Sequence, residues 1–124
     1  MTEGSGKTCV VGVASEEGLV RATLSGDAGM GSTVIVREGL GRLHGLALSS
    51  GAREAAVDLT RVGFMSAACV KELATWITTV EGLPPETRYR VRLVLDARVP
   101  WQQRSLPTVA AVAPGLVTLE TVAS

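Results

Sequence analysis

Residues 55–73 read AAVDLTRVGFMSAACVKEL. An apolar run, EAAVDL at 54–59, has the length and composition of a buried strand. A short connection follows, expected to carry Val62 and Phe64 into the core. Helical spacing begins at Ser66, a good N-cap residue, and Val70, Leu73, Ala74, Ile77 and Val80 then fall on one broad face. Lys71, Glu72 and Thr75 lie off that face, with Trp76 near its border. Gly82-Leu83-Pro84-Pro85 ends the helix. A strand running directly into a capped helix is half of a crossover unit, so the rest of the chain is read for its partners.

Upstream, a short valine-rich stretch at 8–14 and a second strand-like stretch at 19–25 flank a turn and predict a hairpin. Ser32 or Thr33 caps a helix running to about Leu48, with Val36, Leu40, Leu43 and Ala47 on one face. Gly39, Gly41 and Gly45 oppose it, at up to about 1 kcal/mol each relative to alanine. Downstream, 88–96 alternates as a strand, with Tyr89, Val91, Leu93 and Leu95 on one side and Arg90 and Arg92 on the other. Pro100 interrupts. A third helix is expected over 105–113, with Pro107 tolerated in its first turn, and a last strand over 116–122. The order is β-β-α-β-α-β-α-β, an α/β class with a mixed, mostly parallel sheet packed with helices. The expected organisation is a flexible start at 1–7 and one domain at 8–124.

Composition narrows function by exclusion. The chain has 124 residues, 46% of them hydrophobic, enough for one packed core. Lys plus Arg and Asp plus Glu both total 12, and aromatics are only 3%. Neither a nucleic-acid partner nor an anionic membrane is therefore expected. No apolar run approaches the roughly 18 residues that span a bilayer. The first ten residues lack the basic and apolar regions of a signal peptide, so a cytoplasmic location is expected. Cys9 and Cys69 read as buried small hydrophobes, and His44 as a partly exposed helix residue. With that single histidine the expectation is no metal, no cofactor and no catalytic set. Asp58 and Asp96 each close a strand, at an unknown separation. GSGKT at 4–8 resembles the end of a P-loop, but Met1 stands where the first glycine belongs and strand-like CVVGV follows. Arg88, Arg90, Arg92, Arg98 and Arg104 cluster in sequence. They are either solvated or paired with acids, or form a docking or phosphate-contacting patch.

The run VDLTRVGFMSAACVKEL resembles the central segment of STAS domains, the anti-sigma-factor-antagonist family. Val99-Pro100-Trp101-Gln102, then Ser105-Leu106 and Pro114-Gly115-Leu116, are similar to a subgroup of stand-alone bacterial STAS-like regulators. The likeness covers about residues 8–122. It implies a non-enzymatic signalling adaptor that binds a histidine-kinase-like ATPase (a serine kinase of anti-sigma type) through the start of the second helix. Such proteins are released by phosphorylation of a serine there. Aligned on the motif, that serine is Ala68, the serine before it is Ala67, the glycine after it is Cys69, and the Asp/Asn position is Ser66. The candidate partner-binding residues are Ser66, Ala67, Ala68 and Cys69, flanked by Lys71 and Glu72. Ser66 is either a plain helix cap or a relocated phosphorylation site. Trp101 is expected in a loop, closing over the core or serving as a binding hot spot, with Gln102 and Gln103 on the surface. Binding without a switch, or a scaffold role among other STAS proteins in a larger assembly, are the remaining alternatives.

Overall fold

The computed structural model describes residues 9–122, so the Gly4–Thr8 stretch and the whole of the expected flexible start at 1–7 lie outside the described residues. Strands β1 (Val10–Glu16) and β2 (Leu19–Ala28) form the hairpin. A 3-10 turn at Met30–Ser32 leads into α1 (Thr33–Ser50). Then come β3 (Glu54–Met65), α2 (Ala67–Glu81), β4 (Arg90–Asp96), α3 (Pro100–Ala110) and β5 (Val117–Val122). The expected element order holds.

The sheet runs β1-β2-β3-β4-β5, with β1 antiparallel to β2 and all later pairs parallel. Each crossover steps the same way along the sheet. Right-handed crossovers therefore put all three helices on one face. Val20, Ala22 and Leu24, Ala55, Val57 and Leu59, and Val91, Leu93 and Leu95 point into that face and are buried against α1 and α2. Each valine or leucine among them contributes about 1.5–3 kcal/mol on burial. The opposite face carries charge: Arg92 pairs with Glu54 and with Glu120 across three strands.

The glycines that argue against α1 have a partial explanation. A Cβ on Gly39 would lie 2.5 Å from Val11 Cγ1. Gly39 is the place where α1 presses onto β1, and only hydrogen fits there. Gly51 ends the helix at φ 68° and donates its N–H to Ala47 O.

Five expectations need correction. β3 does not stop at Leu59 but runs on to Met65. It leaves β4 after Asp58 and continues along β2, with register shifts near Thr23/Ser25 and Gly26/Asp27. Those irregularities reset which side faces inward, so Val62 and Met65 are buried while Phe64 is 52% exposed rather than in the core. α3 begins at Pro100, not Ser105, because proline at the first helical position loses no hydrogen bond. Pro107 consequently lies in the helix interior, on an exposed site. Trp76, expected at a border, is 6% exposed.

Candidate functional site

The start of α2 is built around Ser66. Its Oγ accepts the Cys69 N–H at 3.2 Å, the capping geometry expected of it. Its own N–H donates to Ala28 O at 2.7 Å, which ties the end of β3 to the end of β2. Ser66 is 7% exposed. Cys69 is fully buried, and its thiol donates to Gly29 O at 3.4 Å, with Thr33 Oγ1 3.9 Å away. Thr33 Oγ1 in turn donates to Met30 O at 2.8 Å. The turn before α1 is thereby fastened to the first turn of α2.

These contacts sort the candidate residues. Ala67 and Lys71 are exposed and Ala68 is half-buried. Glu72 is engaged by Arg37 of α1, Nη2 to Oε2 3.1 Å. Cys69, one of the candidates, has no exposed surface and lies beneath Ala67 and Ala68. Burial first, then the charge of the Cys69 sulfur, push the Cys9 thiol up from its ordinary value. Both cysteines are free and buried.

Three further residues here carry no motif signal. Met30 is 78% exposed, and Val34 and Phe64 are each 52% exposed. Met30 precedes α1, Val34 lies in its first turn and Phe64 stands two residues before Ser66, on segments that the Ala28–Ser66 and Thr33–Cys69 contacts bring to the start of α2. Large apolar side chains gathered in solvent mark an interaction surface more often than isolated ones do. A signal of another kind was present in Arg61. Strict alternation from Ala55, Val57 and Leu59 puts an apolar residue at that position, and the arginine there announces a bulge.

Trp101 and Gln102 hold this region from behind. Trp101 lies in the first turn of α3, not in a loop, and is half-buried against the core. Its Nε1–H donates to Val62 O at 3.1 Å. Gln102 is fully buried rather than on the surface. Its Nε2 donates to Leu59 O at 2.6 Å and Val62 O at 3.0 Å, while its Oε1 accepts the Asp96 N–H at 2.7 Å. These side chains satisfy carbonyls of β3 that lie beyond its pairing with β4. Gln103 stays exposed and donates to Asp96 O at 3.2 Å.

The carboxylates that end the strands are separately occupied. Asp58 accepts from Thr60 N and Oγ1 at 2.9 and 2.7 Å. Arg98, through its side chain and then its backbone N–H, holds the Asp96 carboxyl below the usual range. Of the five clustered arginines, Arg92 and Arg98 are in ion pairs and Arg88 donates to Leu83 O at 2.8 Å. Among the described residues no three of His, Cys, Asp and Glu stand together as a metal site, and no helix is long and apolar enough to cross a membrane.

The chain superposes on the crystal structure of an anti-sigma factor antagonist from Mycobacterium paratuberculosis. The TM-score is 0.66 over 91% of this chain and 86% of that one, at 18% identity. The chain has the STAS fold. By sequence, no family model and no curated protein matches it. The residues gathered at the start of α2 thus sit at the end of a STAS-fold sheet where its parallel strands deliver their C-termini, the usual side for a site on parallel strands.

Proposed function

We propose that this protein is a non-enzymatic, cytoplasmic bacterial signalling adaptor. It docks a histidine-kinase-like ATPase of anti-sigma type on the surface formed by Met30, Val34, Phe64, Ala67, Ala68 and Lys71. The observation that carries the reading is the exposure of three large apolar residues, Met30, Val34 and Phe64, on the segments that adjoin the capped start of α2.

Ala68 occupies the position of the phosphorylated serine in the STAS resemblance, so binding here runs without that switch. Ser66 acts as the cap. Its Oγ is turned onto the Cys69 N–H and 7% of the residue is exposed, which supports a structural role over phosphate acceptance. A charge placed at position 68 restores what the switch does elsewhere, adding repulsion and a desolvation cost to an apolar contact.

Tagged wild-type protein and Ala68→Asp are used as bait in the native cells, with mass spectrometry of bait and partners. The expected result is a kinase-like ATPase held by the wild type, no phosphate on the bait, and at least about tenfold weaker capture by A68D, roughly 1.4 kcal/mol. Phosphate on Ser66 would establish a relocated switch and overturn constitutive binding. Recovery of other STAS proteins alone would overturn the adaptor reading in favour of a scaffold subunit.

A further inference from the structure

Beside the docking surface, α2 and α3 leave a groove of about 380 Å³ between them. Val70, Ala74, Val109 and Val112 form its apolar lining, and Lys71 and Arg104 stand in its wall. Val112 is 41% exposed although it is a large apolar residue.

The charge of this groove has one sign. Neither Lys71 nor Arg104 takes part in any ion pair among the described residues. α3 contains no acidic residue, and the nearest acid on α2, Glu72, is turned away to Arg37 of α1. A net-neutral chain thus presents an apolar slot with two unpaired cations. The α2 N-terminus adds partial positive charge at the Ala67 end. The groove follows α2 from Ala67 to Ala74, two turns, or about 10 Å. An amphipathic helix lays its i, i+3/i+4 and i+7 side chains into a slot of this kind. Acids flanking its apolar stripe would meet Lys71 and Arg104.

Resting on the docking reading above, we propose that the groove between α2 and α3 seats an acidic amphipathic helix of the protein partner. The partner then holds the adaptor at two adjoining places. Met30, Val34 and Phe64 supply the apolar cap at the start of α2, and the groove supplies charge selectivity along its side.

The test uses the full chain, labelled with 15N, and three synthetic peptides of about 18 residues, roughly 27 Å as helices. One carries a leucine stripe flanked by Glu, one the same stripe flanked by Lys, and one is a scramble of the first. The Glu peptide is expected to shift the amides of Val70, Lys71, Ala74, Arg104 and Val112 and to bind at least about tenfold more tightly than either control. The double variant Lys71→Glu/Arg104→Glu, with an unchanged melting temperature, is expected to prefer the Lys peptide. Absence of shifts, equal binding of Glu and Lys peptides, or shifts confined to Met30 and Phe64 would overturn the proposal. The captured ATPase separates the two readings. If A68D releases it and Arg104→Glu does not, the groove proposal fails and the docking surface stands.

Discussion

Gln102 is a fully buried polar side chain whose carboxamide spends both ends on backbone: two carbonyls of β3 and one N–H at the end of β4. A buried group with partners is nearly neutral, whereas partners left behind each cost about 1–3 kcal/mol. Gln102→Leu keeps the volume and orphans Leu59 O and the Asp96 N–H, while Val62 O retains the Trp101 indole. The expected loss is about 2–4 kcal/mol in denaturant unfolding. It should come with amide shifts along 59–66, because the end of β3 loses its rear support. A stability change below about 0.5 kcal/mol would mean that these carbonyls find other partners. The same residue shows where reading by pattern fails. A glutamine next to a proline and a tryptophan scores as surface, and only the third dimension reveals that β3 outruns β4 and needs donors from α3.

Between elements, α1, α2 and the residue that precedes β4 are joined by a three-residue hydrogen-bond chain. Trp76 Nε1–H donates to Tyr89 Oη at 3.0 Å, and His44 Nδ1 lies 2.6 Å from the same oxygen, where it accepts the tyrosine proton when Nδ1 is bare. That order requires neutral His44. Burial holds its pKa below the ordinary value, and burial likewise pushes Tyr89 up to about 12, partly offset by the Trp76 bond. The charged groups lining the same cleft, Arg37 and Glu72, are paired with each other. A histidine with a depressed native pKa contributes stability that is present above its unfolded value near 6.5 and is lost as pH falls toward the native value. The tyrosine adds a second limit, with stability lost between about 10 and 12. Melting temperatures from pH 7.5 to 4.5 should therefore decline more steeply for wild type than for His44→Gln. Parallel curves would show that His44 does not titrate differently on folding. Element order was legible because its signals are local: Ser66 caps α2 as its sequence position announces, and Val36, Leu40, Leu43 and Ala47 are buried as their spacing requires. The His44–Tyr89–Trp76 joint was not legible, since its members are 45 and 13 residues apart and nothing in their spacing links them.

At the scale of the molecule, the singly wound sheet forces a division of labour. With all helices on one face, the core is a single layer, and the ends of β2 and β3 gather the connections at one rim. The motif around Ala68 led to that rim through resemblance, but the exposure of Phe64, on which the docking proposal draws, comes with the bulges in β3. An exposed phenylalanine costs the fold little to remove and, at the centre of an interface, is worth about 2 kcal/mol or more. Leu73, five residues beyond Ala68 and fully buried, is the counter-case, where truncation to alanine costs the fold about 2–5 kcal/mol. Phe64→Ser is accordingly expected to keep the wild-type melting temperature while reducing ATPase capture about thirtyfold or more. Leu73→Ala should lower the melting temperature and reduce capture only in proportion to the unfolded fraction. Thermal unfolding and quantitative capture on the same two variants decide the matter. Wild-type capture by Phe64→Ser would remove the β3 rim from the interface, and a large fall in its melting temperature would place Phe64 back among the residues that hold the fold together.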